Sequence, residues 1–112
     1  MSDCIFCRLA VGEIPSKKLF EDDRVVAFYD IKPAAPVHFQ VIPKQHIPAA
    51  SALGPETEAL VGYLFTVIAR VTAELGLTDY RVINNCGPGA GQTVPHLHFH
   101  VLAGCEMGEC LL

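Results

Sequence analysis

The sequence predicts an α+β fold in which an antiparallel sheet of about five strands is covered by one long helix. Three observations carry this reading: short β-rich runs separated by turn residues, a single long helical pattern over residues 55–75, and a late run in which two residue classes alternate strictly. Ile5 to Leu9 reads as a short helical turn. Lys18 to Glu21 and Arg24 to Asp30 read as strands joined by the turn residues Asp22 and Asp23, and Val37 to Ile42 as a third strand that Pro43 should end. Gly54-Pro55-Glu56-Thr57-Glu58 supplies a helix start, with proline in the first turn and acidic side chains at the positive end of the helix dipole; Gly76 supplies the stop. Strands over Tyr80 to Asn84 and His96 to Leu102 complete the order.

The long helix is apolar over more than one stripe. Leu60, Val61, Leu64, Val67, Ile68, Val71 and Leu75 form a core face, and Tyr63 and Phe65 widen it. One sheet cannot cover every side of such a helix. A second copy of the chain is the expected cover, giving a twofold homodimer, with burial of Tyr63 and Phe65 beneath the N-terminal segment as the alternative.

Size and composition fit one compact domain spanning residues 1–112, with 51% hydrophobic and 18% charged residues. A net charge of -4 and the lack of any Lys/Arg cluster argue against a nucleic-acid partner, which needs a basic surface to displace counterions. No uncharged apolar run approaches the ~20 residues that span a bilayer, so no membrane association is expected. Met1 to Cys7 lacks a basic region followed by an apolar stretch, and an odd count of five cysteines suits a reducing compartment, so the expected location is the cytoplasm.

The alternating run is His96-Leu97-His98-Phe99-His100-Val101-Leu102. A strand has a two-residue period, so the three imidazoles should share one face while Leu97, Phe99 and Val101 anchor the other in a core. Imidazole is the side chain best matched to chemistry near neutral pH. Alternate histidines on a strand can also converge on a single zinc ion, and the spacing leaves that open. Just upstream lies Asn84-Asn85-Cys86-Gly87-Pro88-Gly89-Ala90-Gly91-Gln92-Thr93. Its glycines allow close backbone approach, and its amides with Asn85, Gln92 and Thr93 suit one phosphate group. No lysine follows, which excludes a P-loop. A phosphate held there would lie beside the imidazoles, where a histidine could attack phosphorus.

The run at 96–102 resembles the signature of the histidine triad family, and Cys4-Ile5-Phe6-Cys7, Gly12-Glu13-Ile14-Pro15, Phe28-Tyr29-Asp30-Ile31-Lys32-Pro33, Pro36-Val37-His38-Phe39 and Val41-Ile42-Pro43-Lys44-Gln45-His46 resemble its nucleoside phosphoramidase branch. The resemblance implies a dimeric α+β protein that cleaves the phosphorus-nitrogen bond of purine nucleoside 5'-phosphoramidates and hydrolyses aminoacyl adenylates. Carried over by position, it implies His98 as nucleophile, His100 at the phosphate, His38 orienting the nucleophilic ring, and Thr93 near the leaving amine. It implies that Asp30 holds the ribose hydroxyls, that Asn85, Gly91 and Gln92 cradle the phosphate, and that Ile5, Phe6, Leu9 and Phe28 enclose the base. An Asp at a strand end is also an ordinary turn residue, and those apolar residues read equally as core.

The same resemblance implies a structural zinc held by Cys4, Cys7, His46 and His96. Two thiolates and two imidazoles fill a tetrahedral ion completely, so such a metal braces rather than activates water; a redox dithiol or two idle thiols are the alternatives. Departures from the pattern are the absence of tryptophan, an ending of Cys105-Glu106-Met107-Gly108-Glu109-Cys110-Leu111-Leu112, and Gln40 where an apolar residue is expected near the base pocket. A dinucleoside polyphosphate hydrolase and a non-enzymatic nucleotide-binding module are the rival functions.

Overall fold

Alternation along the strands sorts this chain into two packed layers. In the computed structural model, which describes residues 3–112, the elements run α1 (Ile5–Ala10), β1 (Lys18–Glu21), β2 (Val25–Tyr29), β3 (Val37–Pro43), α2 (Glu58–Glu74), β4 (Tyr80–Ile83) and β5 (Phe99–Ala103). The five strands form one sheet in the order β1-β2-β3-β5-β4, and every neighbouring pair is antiparallel. This is the α+β architecture expected from the sequence.

Register fixes which residues share a face, because directly paired residues point the same way. Val25, Ala27, Phe39, Val41, Phe99 and Val101 project into the main core and meet Leu64, Val67, Ile68 and Val71 of α2. Val26, Phe28 and Ile42 project to the opposite face, where Phe6, Leu9 and Ala10 of α1 cover them. A six-residue helix is too short to roof five strands. The remainder of that second face is left to His38 and Gln40 of β3 and to His100 of β5, with Gln40 paired to both Phe28 and His100.

Several boundaries differ from expectation, each for a local reason. Pro55–Thr57 forms a 3-10 turn ahead of α2, closed by Thr57 Oγ1 donating to the Gly54 carbonyl and accepting from the Gly54 amide, so the α-helix begins at Glu58 and not at 55. Strand β2 starts at Val25 because Asp22 Oδ1 takes the Arg24 and Val25 amides at 2.8 Å each, closing the turn first. Strand β4 stops at Ile83, since Asn84 spends its side-chain amide on the His98 carbonyl at 2.9 Å.

The largest correction concerns the expected strand over 96–102: pairing begins only at Phe99. His96 N bonds the Val94 carbonyl at 2.8 Å and Leu97 N the Ile47 carbonyl at 2.6 Å, so this backbone is satisfied outside the sheet. Tyr63 also finds cover within the chain, its hydroxyl donating to Asp22 and its ring stacked by the Arg24 guanidinium at 3.8 Å, whereas Phe65 stays 44% exposed. Among the described residues, no helix is long and apolar enough to cross a membrane.

Candidate active site

Hydrogen bonds set the protonation of each imidazole on the open face. The Ala34 amide donates to His38 Nδ1 at 2.9 Å, so that nitrogen carries the lone pair and Nε2 carries the proton. His38 Nε2 then donates to His100 Nδ1 at 2.9 Å, which leaves the proton of His100 on its own Nε2. His98 is ordered from the other side, its Nδ1 donating to the His96 carbonyl at 2.7 Å. Its Nε2 is therefore an unprotonated nitrogen, with no partner among the described residues, on a ring whose centroid is 5.1 Å from that of His100. The pair can present a nucleophilic lone pair and an N–H donor to one reacting centre. Burial holds the His100 imidazole below its ordinary 6.5, and the neighbouring His98 and His38 push the same way, so it is neutral at pH 7.

His96 does not join this pair. Its ring is fully buried, packs at 6.0 Å from Phe6, and donates through Nε2 to the Pro43 carbonyl at 2.8 Å. Nδ1 then faces Cys4 Sγ at 3.3 Å, Cys7 Sγ at 3.5 Å and His46 Nδ1 at 3.3 Å, while Cys7 Sγ lies 3.2 Å from His46 Nδ1. The four ligand atoms all fall within 4.8 Å of one another. A tetrahedral ion with zinc-like bond lengths needs neighbouring ligand atoms about 3.3–3.8 Å apart, so this donor set fits one. The carbonyl of Pro43 fixes the metal-competent tautomer of His96. Burial also lowers the pKa of His96, favouring the neutral ring that a metal requires. Cys4 caps α1, its sulfur accepting from the Cys7 amide at 3.4 Å, which places both sulfurs at the helix start. Among the described residues, no such cluster joins all three histidines of the run; Asp30, His38 and His100 form the other group. The expectation that one zinc could bind the whole row is therefore corrected.

A cavity of about 400 Å³ opens beside the imidazoles, lined by Ile5, Phe6, Leu9 and Phe28 together with Ile14, Pro15, Ser16, Lys17, Tyr29, Asp30, Ile31 and Gln40. The ring of Phe6 stands edge-on to Phe28 at 5.6 Å and to His98 at 5.2 Å, linking the apolar wall to that imidazole. Asp30 stands at the inner rim. Its Oδ1 accepts the Lys32 amide and its Oδ2 the Gln40 Nε2, both at 2.8 Å, with His38 Nε2 at 3.5 Å. The four apolar residues expected around a base thus line one cavity with Asp30. The sequence does not mark Ile14, Pro15, Ser16 and Lys17 as lining, since the stretch before β1 carries no pattern that points inward.

The glycine-rich loop is self-supporting. Gly87 and Gly91 have φ of 90° and 91°, values that L side chains rarely adopt. Asn85 Nδ2 donates to the Ala90 carbonyl at 2.5 Å, Gln92 Oε1 accepts the Gly87 amide at 2.8 Å, and Gln92 Nε2 donates to the Pro48 and Val94 carbonyls. These side chains, which the resemblance assigns to a phosphate, also shape the loop. Thr93 is exposed and borders a separate hollow beside Cys4 and His46.

A family model described as HIT domain matches residues 11–107. The chain is 41% identical over 103 residues to protein HitA of Neisseria gonorrhoeae, covering 91% of this chain and 96% of that one. A histidine triad protein from Clostridium difficile superposes with a TM-score of 0.94 at 46% identity, covering 98% of this chain and 97% of the other. A HIT family hydrolase from Legionella pneumophila superposes with a TM-score of 0.93 at 37% identity, covering 96% and 97%.

Proposed function

The chain belongs to the HIT domain family, and from that premise we propose that it hydrolyses purine nucleoside 5'-phosphoramidates, and aminoacyl adenylates, through a nucleotidyl-histidine on His98. The observation that carries this reading is the paired polarity of two adjacent rings: His98 Nε2 with a lone pair, His100 Nε2 with a proton. The lone pair of His98 attacks phosphorus as the bond to the leaving amine breaks, the amine taking a proton from water. His100 Nε2–H meets a non-bridging oxygen, where charge builds in the transition state. Water then opens the phosphorus–His98 bond, releasing the nucleoside monophosphate and restoring the free imidazole. His38 acts through His100 by fixing its tautomer, the base lies between Phe6, Leu9, Ile5 and Phe28, and Asp30 receives the ribose. Gly91 and its neighbours lie at the phosphate, with Thr93 toward the leaving group.

Cys4, Cys7, His46 and His96 hold a structural zinc, whose chemistry is to brace α1 against the segment that carries His98. Two copies of the chain pair through the outer face of α2, where Phe65 is exposed. A cytoplasmic location keeps the thiols reduced, and the partners are a purine nucleoside monophosphate and its conjugates.

Rapid mixing with an AMP-amine conjugate labelled in the phosphate, followed by an alkaline denaturing quench, tests the pathway. Label should remain on the protein transiently and be absent in His98→Ala, whose kcat should fall by about 10⁴-fold or more. Turnover in His98→Ala within tenfold of the parent would overturn the assignment. Faster cleavage of a diadenosine polyphosphate than of the conjugate would reassign the substrate.

A further inference from the structure

One peptide unit, between His96 and Leu97, orients the His98 ring. Its carbonyl accepts from His98 Nδ1 at 2.7 Å, and its N–H donates to the Ile47 carbonyl at 2.6 Å. In a planar trans peptide these two groups point oppositely, so holding the N–H aims the carbonyl. A carbonyl can only accept, and its aim decides which nitrogen of the His98 ring carries the proton. The state of that ring therefore traces back to the oxygen of Ile47.

Few backbone contacts hold that oxygen. Residues 44–49 are irregular, between the end of β3 at Pro43 and a 3-10 turn over Ala50–Ala52. The Lys44 amide donates to the Arg24 carbonyl at 2.7 Å, but among the described residues the amides of Gln45, His46 and Ile47 reach no backbone acceptor. Residue 48 is proline, so the peptide that carries the Ile47 oxygen has no N–H to bond. Side chains hold the segment instead. Gln92 Nε2 donates to the Pro48 carbonyl at 2.8 Å, and the Ile47 side chain is buried in the main core. Ahead of these, the exposed His46 meets His96 Nδ1 at 3.3 Å and Cys7 Sγ at 3.2 Å through its own Nδ1, within the cluster that fits zinc.

Resting on the reading of His98 as nucleophile, we infer that His46 is a positioning residue for it. Bound into the metal cluster, His46 holds the Ile47 carbonyl against the Leu97 N–H, which keeps the proton of His98 on Nδ1 and the lone pair on Nε2. Metal occupancy and attack on phosphorus are then coupled, although no ligand of the cluster lines the base cavity. Residues 43–48 do not line it either, so the coupling acts on the rate and spares nucleotide affinity.

The zinc-loaded parent is compared with His46→Ala and with His46→Cys, which restores a fourth ligand, by imidazole nitrogen NMR, calorimetric affinity for AMP and single-turnover label transfer from the AMP-amine conjugate. In the parent and in His46→Cys the His98 proton should reside on Nδ1 alone. In His46→Ala both tautomers should appear and label transfer should slow about tenfold, with AMP affinity within twofold of the parent. Hydrogen exchange of the Leu97 amide, read on the parent before and after chelation, should quicken at least tenfold while the β2–β3 amides keep their protection; this measurement needs no variant. A single Nδ1-protonated tautomer in His46→Ala overturns the inference, because burial of Ile47 then suffices. AMP affinity falling as far as the rate also overturns it, as does exchange quickened evenly across the sheet, since both report general loosening. Failure of zinc-bound His46→Cys to restore the tautomer overturns it equally. The expected spectra in a parent that transfers no label uphold the positioning of the ring and remove the reading of His98 as nucleophile.

Discussion

His96 serves two neighbourhoods at once, its ring facing Cys4, Cys7 and His46 and its carbonyl holding the His98 ring. Replacing Cys7 with serine removes a ligand from that cluster while leaving the open face untouched. The purified parent should carry one zinc per chain by elemental mass spectrometry, and Cys7→Ser should carry none and melt roughly 10 °C lower, the effect of about 2–3 kcal/mol in a domain of this size. Equal metal content in the two proteins would refute the structural zinc. At this scale, the sequence pattern marked the cysteine pair, His46 and the histidine run, because these residue types bear chemistry wherever they occur. It did not mark the Ala34 amide or the His96 carbonyl, since main-chain groups carry no residue-specific signal. The tautomers that distinguish His98 from His100 depend on those two groups.

Helix α2 turns its core stripe to the sheet and leaves Gly62, Phe65, Thr66, Ala69 and Ala73 outward. A Cβ added at Gly62 meets nothing within 4 Å, so substitution there does not strain an isolated chain and should raise helix propensity. Gly62→Glu should therefore fold but, by placing a charge in the small-residue interface proposed above, halve the mass seen by light scattering from dimer to monomer. An unchanged dimer mass would move the interface elsewhere. The helix itself was legible because its periodicity persists over many residues, whereas its first turn was not, because proline in the first turn is compatible with α and 3-10 geometry alike. Strand β5 taught the same lesson: alternation reports which side a residue faces, and it continues through His96 to His98 although that backbone pairs with Ile47 rather than with the sheet.

Taken whole, the molecule places its titratable rings on the face that α1 leaves open, and acid should destabilise it for that reason. His100 is held below its ordinary 6.5, chiefly by burial. Between that lower folded value and 6.5 the unfolded chain binds a proton that the folded chain refuses. Stability is thus full above about pH 6.5 and falls as pH drops through the window, by under about 1.4 kcal/mol per pH unit for this group. Urea midpoints of zinc-loaded protein should be lower at pH 5.5 than at 7.5, and the difference should shrink in His100→Asn. A midpoint that rises on acidification would reverse the sign and refute the account. The α+β class, the sheet face that bears the histidines and the apolar wall of the cavity were legible in the sequence because each follows from a two-residue period or a long helix. The lining contributed by residues 14–17 was not, since an irregular segment has no period to betray its inward side.

The oxygen that orients the His98 ring belongs to the main chain of residue 96, so it is supplied whatever hangs from that α-carbon. Sequence drift can therefore erase the anchor and spare the reaction, provided another tether keeps the peptide plane from swinging. A descendant that had lost both thiols would show it by a changed side chain at 96 and an unchanged one at 98.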